Sequence, residues 1–281
     1  MRPLIIVPVF NAAEALAECL DSLSRHLHPA DRLLLADDAS TDPRVAPLLE
    51  DFVARHPRQA RYVRRTQNLG FVGNVNAAMR EAGEGDAVLL NSDTVVSAGW
   101  LDRIIECALR DPRIATITPW SNNAEICSFP IFCQAAPMPE VGVLERLARA
   151  AARLPQDAVP ELPTAVGFAM YLRRSAWEAL GGFDADTFGR GYGEENDYCL
   201  RAAAHGWRNV FCPRAFVAHR GNASFSELGM QAGGENLKRL LARYPDYNDR
   251  IARFIVEDPL RPLREALSRE LDALDSRPAA P

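Results

Sequence analysis

Short aliphatic runs alternate with stretches of helical spacing through the first 120 residues, and a sheet of parallel strands covered by helices is the architecture that fits such alternation. LIIVPV (4–9), RLLLAD (32–37), ARYVRRT (60–66), AVLLN (87–91) and RIATITP (113–119) read as strands. Between them, AAEALAECLDSLSRHL (12–27), PRVAPLLEDFVARH (43–56), GFVGNVNAAMREA (70–82) and WLDRIIECALR (100–110) carry the helical period. Pro43 opens the second of these helices, where its missing N–H costs nothing. From Trp120 to Pro163 the pattern loosens, with one helix expected over VLERLARAAARL (143–154). A buried strand, TAVGFAMYLRR (164–174), and a short helix, SAWEALGG (175–182), follow. After them come a glycine-rich loop FGRGYGEEND, a helix DYCLRAAAHG and a last strand NVFCPRAFVAH. The expected class is α/β, a mostly parallel sheet domain over 1–225 with a charged C-terminal helical extension over 226–281. The SRPAAP end is expected to be disordered.

Composition removes several functions. The 281 residues carry a net charge of -5, and their cations are scattered, so no basic face recommends nucleic acid. The six cysteines lack CxxC spacing, and most sit in apolar surroundings, which points to a reducing compartment and a cytoplasmic protein. LIIVPVF is too short to span a bilayer and has no cleavage site, and no other run is long enough, which leaves room only for a peripheral membrane contact. The Asn222-Ala223-Ser224 sequon is then accidental.

In an open parallel sheet, ligands sit outside the carboxyl ends of the strands. Polar residues gather at those ends: Pro8-Val9-Phe10-Asn11 after the first strand, Asp37-Asp38-Ala39-Ser40-Thr41-Asp42 after the second, Asn91-Ser92-Asp93 after the fourth, and His219 at the end of the last. Taken singly, each reads as an Asx turn or a helix cap. As an ordered set, VPVFN, ADDASTD, NLGFVGNVN, LLNSDT and GGFD…GYGEENDYCLRA…AFVAH resemble the inverting nucleotide-sugar glycosyltransferases of family two, with a GT-A (Rossmann-like) fold. The resemblance runs from about residue 4 to residue 225.

The resemblance implies roles. Asp93 holds the last place of an Asp-x-Asp element and would supply a hard oxygen to Mn²⁺ or Mg²⁺ beside the donor diphosphate. Asn91 replaces the first aspartate, and His219 matches a position that completes the metal site in some relatives. Asp38, with Asp37 assisting, would accept from a uracil or thymine N3–H, with Pro8 and Phe10 as an apolar wall and Ser92 nearby. Backbone N–H groups around Asn68 and Gly70 could face phosphate, although an ordinary tight turn explains Gly70 equally. Glu195 would be the base that takes the acceptor hydroxyl proton, with Glu194 orienting the acceptor or the loop. Relatives usually carry aspartate at the Glu195 position, so the acceptor would sit slightly differently. The glycines of GRGYG suggest a loop that moves over a bound ligand.

The expected function is transfer of a sugar from a UDP- or dTDP-sugar to a saccharide, lipid-carrier or protein acceptor. Acceptor choice is expected in 120–163 and 226–281, and the C-terminal helices could also mediate homo-oligomer contacts. The alternative is a catalytically degenerate sugar-nucleotide-binding scaffold. A nucleotidyltransferase would need a Gly-rich, basic loop after the first strand, and a dehydrogenase would need GxGxxG there. VPVFNAAEA supplies neither.

Overall fold

The computed structural model describes residues 2–189, 191–221 and 234–276. The sequon at Asn222 and residues 277–281 of the expected disordered tail lie outside the described residues. The first half alternates as β1 (Leu4–Val9), α1 (Ala13–His26), β2 (Arg32–Asp37), α2 (Val45–Arg55), β3 (Ala60–Arg64), α3 (Gly70–Glu81) and β4 (Ala87–Leu90). Then come β5 (Thr94–Val95), α4 (Trp100–Ala108), β6 (Ile114–Trp120), a 3₁₀ turn at Glu125–Cys127 and α5 (Val141–Ala151). β7 (Ala169–Leu172), α6 (Arg174–Leu180), α7 (Ala185–Phe188), α8 (Glu194–Ala204), β8 (Arg208–Phe216) and β9 (Ala218–His219) complete the sheets. The chain continues through α9 (Glu235–Arg243), α10 (Tyr247–Glu257) and α11 (Arg261–Asp275).

The main sheet has the order β3-β2-β1-β4-β7-β6-β8. All its strands run parallel except β7, which is antiparallel to both β4 and β6. The near-continuous apolar runs of β1, β2 and β4 follow from burial on both faces. Alternate side chains serve different cores: Ile5, Val7, Leu33, Leu35, Val88 and Leu90 enter one, while Ile6, Leu34, Ala36 and Leu89 enter the other. The expected last strand is divided. β8 ends at Phe216, and β9 leaves the main sheet to pair with β5 as an antiparallel ribbon. Two-residue strands are too short to leave a periodic trace in sequence, so neither β5 nor the division was legible.

The C-terminal helices pack on the sheet domain. Leu240 of α9 joins one core, and Phe254 of α10, Leu267 of α11 and the intervening Leu260 join the other. Among the described residues, no helix is long and apolar enough to cross a membrane. Leu267 is fully buried, so Leu267→Ala should cost about 2–5 kcal/mol of global stability. The loss should appear in chemical denaturation as one shifted transition; early, separate melting of the C-terminal helices would show that they do not share the core.

Candidate active site

The topology delivers functional groups to one rim. β1 is flanked by β2 and β4, so the chain reverses its direction of winding at β1, and a crevice opens there outside the carboxyl ends. The tips of β1, β2, β4, β6 and β8 share that rim. Because β7 is reversed, its beginning lies there too, with Ala169 paired to Leu90.

At the β1–β2 end, Asn11 ties the tips together. Its Oδ1 accepts from the backbone N–H groups of Thr41 at 2.8 Å and Asp42 at 3.0 Å, while its own N–H donates to Ser40 Oγ at 2.9 Å. Asp37 is fully buried; its carboxylate accepts from Ser40 N–H at 2.8 Å, Tyr62 Oη at 3.2 Å and Arg64 Nη1 at 3.0 Å. Its assistance is therefore to hold the loop, with its oxygens committed to protein. Asp38 Oδ1 accepts from Leu69 N–H at 2.7 Å, and burial pushes its pKa up in spite of that bond. Asn68 Nδ2 donates to the Asp38 carbonyl at 3.2 Å, and Asn68 Oδ1 accepts from Gly70 N–H at 3.1 Å. The Gly70 N–H is thus engaged within its own loop, as the tight-turn reading of Gly70 has it. The Leu69 and Gly70 N–H groups are taken by side chains, and Gly70, at φ 73°, makes the turn. Pro8 is buried within β1, and Phe10 is half-buried just beyond its end. Arg65 was not anticipated. Its charge acts on Asp38, and its Nη2 is buried without a hydrogen-bond partner among the described residues.

At the β4 tip, Asn91 N–H donates to the Phe168 carbonyl at 2.9 Å, and the Asn91 carbonyl accepts from Thr94 Oγ1 at 2.7 Å. Ser92 and Asp93 are buried just beyond. The β5–β9 ribbon sets Thr94 opposite His219, which brings His219 Nε2 to 3.4 Å from Asp93 Oδ1. His219 Nδ1 lies 2.7 Å from the Asn123 carbonyl, which can only accept, so Nδ1 carries the proton and Nε2 faces Asp93. Burial pulls the His219 pKa down, but the hydrogen bond and charge of Asp93 together with the Asn123 contact outweigh it, and the net shift is upward. Among the described residues, no group of three or more His, Cys, Asp and Glu could hold a metal ion. One carboxylate and one imidazole oriented by a carbonyl fit a cation that takes its remaining ligands from diphosphate oxygens and water.

Gly167 and Phe168 join this tip to the acidic end of α8. The Phe168 ring stacks on His219 with centroids 5.3 Å apart, and a Cβ at Gly167 would lie 3.5 Å from Glu195 Oε1. α8 begins at Glu194, earlier than the sequence pattern placed it, because Gly193 supplies its N-cap at φ 102°. Both glutamates thus stand in the first turn of a helix. Glu194 is buried, and desolvation, reinforced by the neighbouring Glu195 charge and a hydrogen bond with Glu195, pushes its pKa well above the ordinary value. Burial and the neighbouring carboxylate thus favour the protonated form of Glu194, while Glu194 Oε2 and Glu195 Oε2 are both buried without a hydrogen-bond partner among the described residues. Two residues missed by sequence reasoning stand close by. Glu125, in the 3₁₀ turn at φ 47°, is exposed, yet the surrounding protein and the Glu195 charge raise its pKa. Tyr247, at the start of α10, has its pKa raised by burial and by the charges of Glu125 and Glu195.

This mostly parallel sheet, with β7 reversed and helices on both faces, has the GT-A fold. Residues 4–180 match the model of Glycosyl transferase family 2, and the chain belongs to that family of glycosyltransferases. An uncharacterized protein of Mycobacterium tuberculosis is 29% identical over 222 residues, covering 78% of this chain and 74% of the relative. Among solved structures, GalNAc-T7 with UDP, GalNAc and Mn²⁺ superposes with a TM-score of 0.64 at 16% identity, covering 88% of this chain but 50% of that one. The chain thus spans half the length of that structure. The mannosyltransferase PcManGT of Pyrobaculum calidifontis with GDP-Man and Mn²⁺ gives 0.57 at 17% identity over 100% of this chain and 76% of that one. S. aureus TarS 1–349 with UDP-GlcNAc gives 0.58 at 15% identity, covering 98% and 84%. At these identities the likeness is one of fold.

The protonated state of Glu194 has a consequence for stability. A carboxyl whose pKa is raised on folding from an ordinary 4.5 stabilises the fold fully below that value, and the contribution is lost as pH rises toward the folded-state pKa. Glu194→Gln, which is neutral at every pH, should therefore raise Tm by a margin that widens from about pH 5 to about pH 8. A gain independent of pH in thermal melts would mean that Glu194 is already ionised.

Proposed function

We propose that the protein is a metal-assisted inverting glycosyltransferase that moves a sugar from a UDP- or dTDP-sugar to a saccharide, lipid-linked or protein acceptor hydroxyl. The observation that carries this reading is the Glu194–Glu195 pair facing Gly167, one residue from the Phe168 ring that stacks on His219. Asp38 would accept from the base N3–H through the oxygen it does not spend on Leu69, and this is what favours uracil or thymine. Phe10 would wall the ring. Asp93 and His219 Nε2, with Asn91 beside them, would hold Mn²⁺ or Mg²⁺, which when bound supplies Lewis-acid neutralisation of the diphosphate leaving group. Glu195 takes the proton of the acceptor hydroxyl. The hydroxyl oxygen bonds to the anomeric carbon from the side opposite the diphosphate, and the bond to the diphosphate breaks. Glu194 stays protonated and fixes the Glu195 carboxylate by hydrogen bonding. The solved structures with UDP, UDP-GlcNAc or GDP-Man, two of them with Mn²⁺, support a nucleotide-sugar donor and a metal in general. A cytoplasmic setting suits the six free thiols.

Glu195→Gln should lower kcat for donor turnover by about 10²- to 10⁴-fold with nucleotide affinity unchanged, while Glu194→Gln, which still donates to Glu195, should stay close to wild type. Turnover of Glu195→Gln at the wild-type rate would remove the base assignment. Asp93→Ala should weaken Mn²⁺-dependent UDP binding by roughly 10- to 100-fold in calorimetry; unchanged affinity would exclude Asp93 from the site.

A further inference from the structure

α9 lies along the segment that carries the base, and its polar contacts converge there. Asn236, Arg239 and Arg243, three and four residues apart, share one face of the helix. Asn236 Nδ2 donates to the carbonyls of Phe188 at 2.8 Å and Gly191 at 2.7 Å, which committs both amide protons to the glycine-rich loop. Arg239 Nη1 donates to the Thr187 carbonyl at 2.6 Å. The Arg243 guanidinium forks: Nη1 donates to Asp197 Oδ1 at 2.7 Å, and Nη2 donates to Asp184 Oδ2 at 2.9 Å and Thr187 Oγ1 at 3.1 Å. Tyr244 Oη donates to the same Asp197 oxygen at 3.0 Å, and Arg201 Nε donates to the other at 2.8 Å.

Asp197 is fully buried in the first turn of α8, two residues beyond Glu195. A carboxylate there is tolerable only with its cations in place, and removing one partner leaves buried charge unpaired. The loop is equally constrained. A Cβ at Gly193 would meet the Phe188 ring at 3.0 Å, so the turn into α8 packs directly on the residue whose carbonyl Asn236 holds. Leu240, in the core, anchors α9, with Leu237 and Tyr244 packed against the same cluster, while Asn236 and Arg243 make the polar contacts.

We propose that Asn236, Arg243 and Tyr244 are positioning residues for sugar transfer: they fix the glycine-rich loop and the first turn of α8, and so set where the Glu195 carboxylate meets the acceptor hydroxyl. The inference rests on Glu195 as the base. It makes α9 part of the catalytic apparatus on the acceptor side, while the donor side at the β1, β2 and β4 tips is built without it.

The test uses full-length Asn236→Ala, Tyr244→Phe, Arg243→Ala and Arg243→Lys. Three readouts apply: UDP affinity with Mn²⁺ by calorimetry, release of UDP from a UDP-sugar with water as acceptor, and amide exchange over residues 188–197. UDP affinity should stay within about twofold, kcat should fall roughly 10- to 100-fold in Asn236→Ala and Arg243→Ala, and exchange over 188–197 should accelerate. Arg243→Lys should recover only part of the rate, because an ammonium reaches Asp197 or Asp184 but does not fork between them. Should Arg243→Ala fail to fold, Asn236→Ala and Tyr244→Phe carry the test. Folded variants with wild-type turnover, or with unchanged exchange over 188–197, overturn the proposal, as does a fall in UDP affinity that matches the fall in kcat. Glu195→Gln in the same assay separates the two claims. If it turns over at the wild-type rate, the base reading fails by itself, and the exchange result still decides whether α9 orders the loop.

Discussion

One reversed strand organises the active rim. β7 runs antiparallel between β4 and β6, so the residues that precede it, not those that follow, arrive beside the carboxyl tips of its neighbours. Gly167 and Phe168 are those residues. The Phe168 carbonyl receives the Asn91 N–H, its ring lies against His219, and Gly167 leaves open the space in which the Glu195 carboxylate stands. A parallel β7 would carry both residues to the opposite end of the sheet. The Asp93–His219 pair and the α8 glutamates would then share a sheet without sharing a site.

Carboxylates on this rim meet two fates, and the difference is set by arginine. Asp37 and Asp197 are fully buried and ion-paired, the first with Arg64 and the second with Arg201 and Arg243. Each holds a loop or helix turn in place. Glu194 and Glu195 form no ion pair with arginine or lysine among the described residues, and burial beside the second carboxylate pushes the Glu194 pKa up. Neutralising a carboxylate with a guanidinium fixes geometry but removes basicity, whereas a second carboxyl leaves one member of the pair ionised. The EEND stretch uses both solutions within a single helical turn. Its glutamates are left without a cationic partner among the described residues, and its aspartate is spent on the scaffold.

Legibility in the sequence followed the range of the interactions involved. The strands at 4–9 and 32–37 and the helix at 70–81 were plain, because period and burial are written locally. The direction of β7 was not, since an apolar run such as FAMYL is equally suited to either orientation. Asp38, Asn91, Asp93 and His219 stood out at strand tips, where polar groups interrupt apolar patterns, whereas Glu194 and Glu195 were singled out by the family resemblance within a glycine-rich loop. Asp37, Asn68 and Gly70 show the limit of that method, because a residue at a tip can be consumed by its own loop, and the sequence does not say which oxygen is left over. Glu125 and Tyr247 escaped notice for the opposite reason: each sits in a stretch with no motif and gains meaning only from a charge far away in the chain.

Under the proposed function, the same distinction bears on how donor and acceptor would be divided over the molecule. The alternating βα units up to Trp120 provide the tips that suit a nucleotide and its diphosphate, and their contacts are short-range and repetitive. Everything assembled around Glu195 comes from later, less regular chain: Glu125 from a 3₁₀ turn, Gly167 from the approach to β7, Tyr247 from α10, and the α9 residues that grip Asp197 from 46 and 47 positions away. Such an arrangement lets the acceptor side vary by changing loops and terminal helices while the sheet, and the donor chemistry at its tips, remains as it is. On this reading the charged C-terminal helices are the means by which one fold presents a carboxylate base to one particular class of hydroxyl.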